Sequence, residues 1–162
     1  MLGRFTQMLL GSLFLPLLSL GLAGVSPAQQ LPNEPTARER TLLAESYTSE
    51  RLFLWQKRLN LQDWNIAVVM SRASELKPKT LGNIHWDLEK KTATIRVLDP
   101  ADYKLPFKEM LQDMEFTVVH ELIHLNFAPV VSEFPRSDAN RREEEHSVNH
   151  IADALLKLDR NP

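Results

Sequence analysis

Between positions 36 and 61, apolar residues recur mostly at spacings of three and four among arginine, glutamate and lysine side chains. They are Leu42, Leu43, Tyr47, Leu52, Phe53, Trp55 and Leu59. This period predicts an amphipathic helix. A β-branched run at 64–70, preceded by Asp63 as a turn residue, predicts a first strand.

Two further apolar segments, 81–88 and 92–98, are separated by the polar residues Glu89, Lys90 and Lys91. Their lengths and the short polar connection predict a β-hairpin. Turn-forming residues at 99–102 then end the second segment.

Residues 107–127 contain no glycine or proline and are almost continuously apolar from 116 to 125, which predicts a buried helix. Asp113 and Glu115 are candidates for its start, and Pro129 is expected to end it. A loop is predicted over 128–140 and a last amphipathic helix over 141–158. The apolar face of that helix comprises Val148, Ile151, Ala152, Leu155 and Leu158. The whole pattern predicts an α+β fold.

Composition limits the kinds of protein that this chain can be. Its 162 residues, 43% apolar and 25% charged, suit a single globular domain. The net charge of −2 and the mixed signs along the chain argue against a nucleic-acid partner. Because the chain has no cysteine, imidazole and carboxylate groups must hold any transition metal.

The first residues have the pattern of a secretory signal. Arg4 precedes an almost wholly apolar run at 8–25, and Ser26-Pro27-Ala28 offers small residues where a signal peptidase cleaves. We therefore expect a signal peptide at 1–28 with cleavage after Ala28, a disordered leader at 29–35 and the functional domain at 36–162. The mature chain would be periplasmic or secreted and would keep no stable membrane span. The alternative is an uncleaved membrane anchor.

The strongest chemical signal is His120-Glu121-Leu122-Ile123-His124. Two histidines four residues apart share one helix face, so both imidazoles can reach one Zn²⁺ ion, with a carboxylate beside the first. Histidine and glutamate are costly in a buried helix unless they find partners, and a metal ion is such a partner. The alternative is a pair of core histidines satisfied by backbone or carboxylate groups.

A catalytic zinc site needs a third protein ligand, and the candidates are Glu143, Glu144 and Glu145 at the start of the last helix. Stepping back from Val148 and Ile151 by helical periods places Glu144 on the inward stripe. Glu145 lies at the edge of that face and remains a second choice, whereas Glu143 projects to solvent. Glutamates at a helix start can also simply complement the helix dipole.

The motif at 120–124, with Glu144 twenty residues later on a following helix, resembles the gluzincin zinc metallopeptidases. The preceding strands and first helix are similar to minimal gluzincins, which implies a small zincin-like domain. The metzincin pattern is excluded because 126–131 contains neither glycine nor histidine. The resemblance implies that His120, His124 and Glu144 bind one Zn²⁺ and that Glu121 is the general base for a metal-activated water.

The resemblance also implies further parts of an active site. An edge strand, either 81–88 or 92–98, would bind an extended peptide or protein substrate. Candidates for a donor that stabilises the oxyanion are Tyr103, Arg141, His146 and His150. Asn149 or Asp153 could orient a zinc-bound histidine.

Peptide-bond hydrolysis is thus the expected function, as an endopeptidase or an aminopeptidase. The alternative is a catalytically silent gluzincin-like module that binds a peptide or a cell-envelope partner, and a third option is hydrolysis of a non-protein amide. Substrate, cleavage specificity and oligomeric state stay open.

Overall fold

This computed structural model describes residues 34–135 and 137–160. They contain three α-helices and three strands. In chain order they are helix α1 (Ala37–Arg58), strands β1 (Asn65–Ser71), β2 (Gly82–Asp87) and β3 (Thr92–Leu98), and helices α2 (Phe107–Val131) and α3 (Asp138–Arg160). Short 3₁₀ turns lie at Ala73–Glu75 and Pro100–Asp102. The expected α+β fold is confirmed, and the three strands of its sheet follow the first helix and precede the last two helices in the chain.

The signal peptide at 1–28 and most of the leader at 29–35 lie outside the described residues, so those expectations stay predictions. Across the described part of the chain, every helix is too short or too polar to cross a membrane.

Helix α1 begins where its sequence supplies a capping box. The hydroxyl of Thr36 accepts a hydrogen bond from the Glu39 backbone N–H at 3.3 Å, and the Glu39 carboxylate accepts one from the Thr36 N–H at 2.8 Å. These contacts satisfy two backbone donors that a helix start otherwise leaves unpaired. The predicted helix at 36–61 is therefore confirmed, with its end at Arg58.

The sheet has the order β1-β3-β2. Strand β3 lies in the centre, parallel to β1 and antiparallel to β2. The predicted hairpin between β2 and β3 is confirmed, and the Asp87 carboxylate closes its turn by accepting from the N–H groups of Glu89 and Lys90. Because β3 is paired on both sides, β2 and β1 are the edges of the described sheet.

Helix α2 supplies most of the core. It packs against α1, α3, β2 and β3, which explains why its sequence is apolar on almost every side. Side chains with no exposed surface include Ile95 and Val97 from β3 and Met110, Met114, Val118 and Leu122 from α2. The site-bearing segment of α2 is therefore held on several sides at once.

Two expectations for α2 were wrong. Pro129 does not end the helix, which continues to Val131, because a proline in the last turn removes one backbone hydrogen bond with little helix left to disrupt. Asp113 and Glu115 do not mark the start, since the helix begins at Phe107 and both residues lie well inside it, Glu115 being buried.

The loop before α3 is also shorter than predicted. Because α2 ends late and α3 begins at Asp138, the loop spans 132–137 rather than 128–140. The hydroxyl of Ser137 accepts from the Asn140 N–H at 3.1 Å, and the Ser137 carbonyl accepts from the Arg141 N–H at 3.0 Å. This serine cap places the helix start three residues before the predicted Arg141.

The buried face of α3 differs in phase from the predicted one. Val148, Ala152 and Leu156 are buried, whereas Ile151 is 38% exposed and Leu158 is 70% exposed. The face therefore follows a spacing of four residues, set by packing against α2. Extended toward the start of α3, this spacing places Glu144 on the side that faces α2.

A buried carboxylate, Glu115, connects the three helices. It accepts hydrogen bonds from the indole N–H of Trp55 at 3.0 Å and from the hydroxyl of Tyr47 at 2.9 Å, both on α1. Arg51 on α1 and Arg160 on α3 lie 3.7 Å from its oxygens. The charge of this carboxylate is thus compensated by cations and donors from two neighbouring helices.

Candidate metal centre

His120 and His124 face each other on the inner side of α2. Their ring centroids are 4.7 Å apart and their Nε2 atoms are 3.0 Å apart. Burial lowers the pKa of His120, and the neighbouring His124 lowers it further, against the opposite effects of Glu145 and Asn149. The favoured neutral imidazole is the form that binds metal ions.

Glu144 determines which nitrogen of His124 is available. One of its carboxylate oxygens lies 2.8 Å from His124 Nδ1, and only 12% of the Glu144 side chain is exposed. A carboxylate at this distance requires Nδ1 to donate its proton, which leaves the Nε2 lone pair directed at His120. This is the carboxylate contact that commonly orients a metal-binding histidine.

Glu145 lies on the other side of the histidine pair. Its carboxylate oxygens are 3.4 Å from His120 Nε2 and 3.7 Å from His124 Nε2, and 49% of its side chain is exposed. Two nitrogen ligands of one tetrahedral zinc ion, each about 2.0–2.1 Å from it, would lie about 3.3 Å apart. The two imidazoles and the Glu145 carboxylate therefore have the spacing of ligands around a single ion.

These positions distinguish the two glutamates that the sequence offered as a third ligand. Glu144 points inward as predicted, but its carboxylate contacts the nitrogen of His124 that faces away from His120. Glu145, the second choice from sequence, brings its carboxylate to the side where both Nε2 atoms converge. Glu143 is exposed, as expected. The geometry favours Glu145 as the third ligand and Glu144 as the partner of a ligand.

Glu121 is 6% exposed and lies between the histidines and strand β2. Burial and, to a smaller extent, the charge of Glu145 raise the pKa of Glu121 to about 8, against the opposing effect of Lys77. A divalent cation beside this carboxylate would favour its ionised form.

Gly82 allows β2 to approach α2 closely. A Cβ atom at this position would lie 2.4 Å from Thr117 Cγ2, 2.7 Å from the Arg96 carbonyl oxygen and 3.6 Å from the Glu121 carboxylate. Only a residue without a side chain fits there, so Gly82 sets the distance between the edge strand and the general-base candidate.

A groove with a volume of about 420 Å³ runs between β2, α2 and the start of α3. Residues of β2 and of the segment before it form one wall, and the histidines and glutamates of the centre lie along the groove. Of the two candidate edge strands, β3 is central, so among residues 34–135 and 137–160 β2 is the candidate that offers an unpaired edge beside the centre. Sequence alone could not distinguish them.

The remaining candidates are spread over the molecule. Arg141 and Asn149 line the groove. Tyr103 donates its hydroxyl proton to Asp113 at 2.9 Å, and neither residue lines the groove. His146 and His150 are exposed on α3, with ring centroids 4.3 Å apart.

Asp153 lies 2.5 Å from the ammonium group of Lys157 on the outside of α3, so it is not placed to orient His120 or His124. The structure thus retains Arg141 as the candidate for oxyanion stabilisation that borders the groove and Asn149 as the polar neighbour of His120.

Sequence reasoning missed several groove residues, among them Lys77, Lys79, Gly82 and Thr117. No period or motif marks them. The positions of Lys77, Lys79 and Gly82 follow from the pairing of β2 with β3, which brings this segment over α2, where Thr117 lies.

Comparison of the chain with protein-family models, with curated proteins and with solved structures found no match.

Proposed function

We propose that this protein is a zinc-dependent metallopeptidase of the gluzincin type, with His120, His124 and Glu145 as metal ligands and Glu121 as the general base. The observation that carries the proposal is the convergence of the two Nε2 atoms and the Glu145 carboxylate beside a buried carboxylate. A closed structural site would have no use for Glu121, and structural zinc sites typically have four protein ligands, often cysteines, which this chain lacks.

The residues of the proposed centre would have different roles in catalysis. A bound divalent metal ion would supply Lewis-acid polarisation of a peptide carbonyl and activation of water. Glu121 would accept a proton from the attacking water and pass it to the departing amine. Glu144 holds the His124 ring in the orientation and tautomer that ligation requires.

The free edge of β2 supports a peptide as the substrate. An extended chain can pair with the unpaired backbone groups of an edge strand, which would align a scissile bond along the groove next to Glu121. Arg141 borders the same groove and would be available to stabilise negative charge on the carbonyl oxygen.

We further propose that the protein acts after export, in the periplasm or outside the cell. The pattern at 1–28 supports this. The mass of the exported protein should correspond to a chain that begins at Gln29, and a mass that includes residues 1–28 would contradict the cleavage.

The experiment that tests the function combines zinc analysis with hydrolysis of a peptide library. The purified wild type should contain about one zinc per chain, because the chain offers one set of three ligands, and it should cleave peptides. The Glu121→Gln variant should retain zinc and lose hydrolysis. A wild type that takes up no added zinc would exclude the metallopeptidase, and zinc binding without any cleavage would favour a silent binding module.

A further inference from the structure

Three basic side chains line the groove in addition to the metal centre. Lys77 and Lys79 belong to the segment that leads into β2, and Arg141 lies in the first turns of α3. The cations therefore come from two different walls, on either side of the space that a substrate would occupy. The positive charge of Lys77 also lowers the pKa of the Glu121 carboxyl, and both residues line the groove.

The lysine-bearing segment is held by a hydrogen-bonded turn. The Lys77 carbonyl accepts from the N–H of Thr80 at 3.1 Å and from its hydroxyl at 2.8 Å. Lys79 occupies the left-handed region with φ of 67°, which reverses the chain just before β2 begins. This hydrogen-bonded turn therefore fixes the backbone of both lysines beside the groove.

The ion pairs formed by these cations inside the protein are weak or lacking. Among the described residues, no carboxylate lies within ion-pair distance of Lys77 or Lys79. Arg141 lies 3.8 Å from Asp138, but both side chains are well exposed, and such pairs contribute little. All three cations are therefore available to a bound ligand.

The charges of the groove become unbalanced once a metal ion is present. The acidic residues that line it are Glu121, Glu144 and Glu145, all of which belong to the metal centre. Three basic residues match these three carboxylates, so a divalent cation leaves the groove with excess positive charge. Such a groove attracts negatively charged ligands and disfavours positively charged ones.

From this arrangement we propose that the enzyme selects peptides that carry a carboxylate close to the scissile bond, and that Lys77, Lys79 and Arg141 recognise it. The inference rests on the proposed function and adds the substrate class. The carboxylate belongs either to an aspartate or glutamate side chain or to the free C-terminus of the peptide. Lysine and arginine donate charge-assisted hydrogen bonds to both.

The test uses the zinc-loaded full mature chain and matched peptides that contain glutamate or glutamine beside the cleaved bond, each with a free or an amidated C-terminus. We expect kcat/KM to be about fivefold higher for the more acidic member of a pair, the ratio that a single exposed charge pair provides. A higher rate for glutamate within the amidated pair identifies a side-chain carboxylate. A higher rate for free acids than for amides identifies the terminal carboxylate.

Variants then assign the preference to residues. Lys77→Gln should reduce the ratio of kcat/KM between the acidic and the neutral peptide toward one, and Arg141→Gln should do the same. The exposed Lys108, which does not line the groove, provides the matched control, and Lys108→Gln should leave the ratio unchanged. Raising the salt concentration from about 0.1 M to about 1 M shortens the screening length from about 10 to about 3 Å, so the preference should shrink in the wild type.

Equilibrium binding separates this inference from the proposed function. The zinc-loaded Glu121→Gln variant should bind the acidic peptide about fivefold more tightly than the neutral one, independently of hydrolysis. Selective binding without cleavage by the wild type would leave charge recognition standing and reject the peptidase. Cleavage and binding with equal efficiency for all peptides would reject charge recognition and leave the peptidase intact.

Discussion

A carboxylate oxygen of Glu144 lies 2.8 Å from Nδ1 of His124, while the Nε2 atom of the same ring faces His120. The histidine is thus held from one side and open to a ligand on the other. Glu145, the next residue along α3, reaches the open side. Two adjacent glutamates of similar sequence context therefore have different roles in the proposed centre.

The first prediction separates these roles by zinc affinity. Glu145→Gln removes a proposed ligand and should abolish stoichiometric zinc binding. Glu144→Gln removes only the partner of His124 and should weaken binding by about 10- to 100-fold. Competition with a chromophoric chelator measures both, and Glu143→Gln, at an exposed position of the same helix, is the control. Stronger loss with Glu144→Gln than with Glu145→Gln would restore Glu144 as the third ligand.

The second prediction concerns removal of the metal. A ligand that binds the folded state alone stabilises it by about 2.7 kcal/mol at a free concentration of about 100 times its Kd. We therefore expect EDTA to lower the Tm of the zinc-loaded wild type by several degrees and to leave His120→Ala unaffected. Differential scanning calorimetry with and without EDTA makes the comparison. An equal effect of EDTA on both proteins would place the zinc elsewhere.

The third prediction tests the close approach of β2 to α2. In Gly82→Ala the new methyl group would meet Thr117 Cγ2 at 2.4 Å and the Arg96 carbonyl at 2.7 Å. Overpacking of this kind costs about 1–3 kcal/mol, so the free energy of unfolding in urea should fall by that amount. Displacement of the edge strand should also raise KM.

A second substitution serves as the control for Gly82→Ala. Thr117→Ser removes the Cγ2 atom and should restore part of the lost stability in the double variant, while the clash with the Arg96 carbonyl remains. If the single Gly82→Ala variant were as stable and as active as the wild type, the strand and helix would not be in contact at this point.

The fourth prediction is a loss of stability at alkaline pH. Burial raises the pKa of Tyr47 to about 12 from its ordinary value of 10.0, and the neighbouring Glu115 carboxylate contributes to the rise. Because the folded state favours the protonated phenol, the contribution of this group to stability is complete below about pH 10. It is lost as the pH rises through about 12.

Urea unfolding of the wild type and of Tyr47→Phe, followed between pH 9 and 12, measures this contribution. The wild type should lose stability more steeply than the variant, since phenylalanine does not titrate, and at pH 7 the variant should be about 1 kcal/mol less stable through loss of one hydrogen bond. Parallel pH profiles would show that Tyr47 is not coupled to Glu115. The difference in absorbance at 295 nm between the wild type and Tyr47→Phe gives the titration of Tyr47, because Tyr103 is present in both proteins.

Local patterns predicted much of the secondary structure because they depend on neighbours in the chain. The hairpin between β2 and β3 follows from two apolar runs and a polar turn at 89–91, and it has the expected bounds to within one residue. The helix around His120 follows from a segment that is almost continuously apolar and contains no glycine or proline. Errors arose at the ends of α2 and α3, where a proline in a last turn and a serine cap determined the boundaries.

The apolar face of α3 shows why counting apolar residues did not suffice. Ile151 and Leu158 are apolar, as core residues usually are, but they face solvent, and Leu156 is buried in their place. Contact with α2 selects the face, and that contact lies far away in the sequence. The predicted and the observed face both place Glu144 inward, so the phase error did not change the position expected for that residue.

The sequence by itself determined that His120 and His124 share a helix face with Glu121 between them, because the helical period places residues four apart side by side. Only the tertiary structure decided which strand borders them, which glutamate lies beside both Nε2 atoms and which cations share the groove. These relations join elements far apart in the chain, and packing between helices and strands, not local periodicity, determines them.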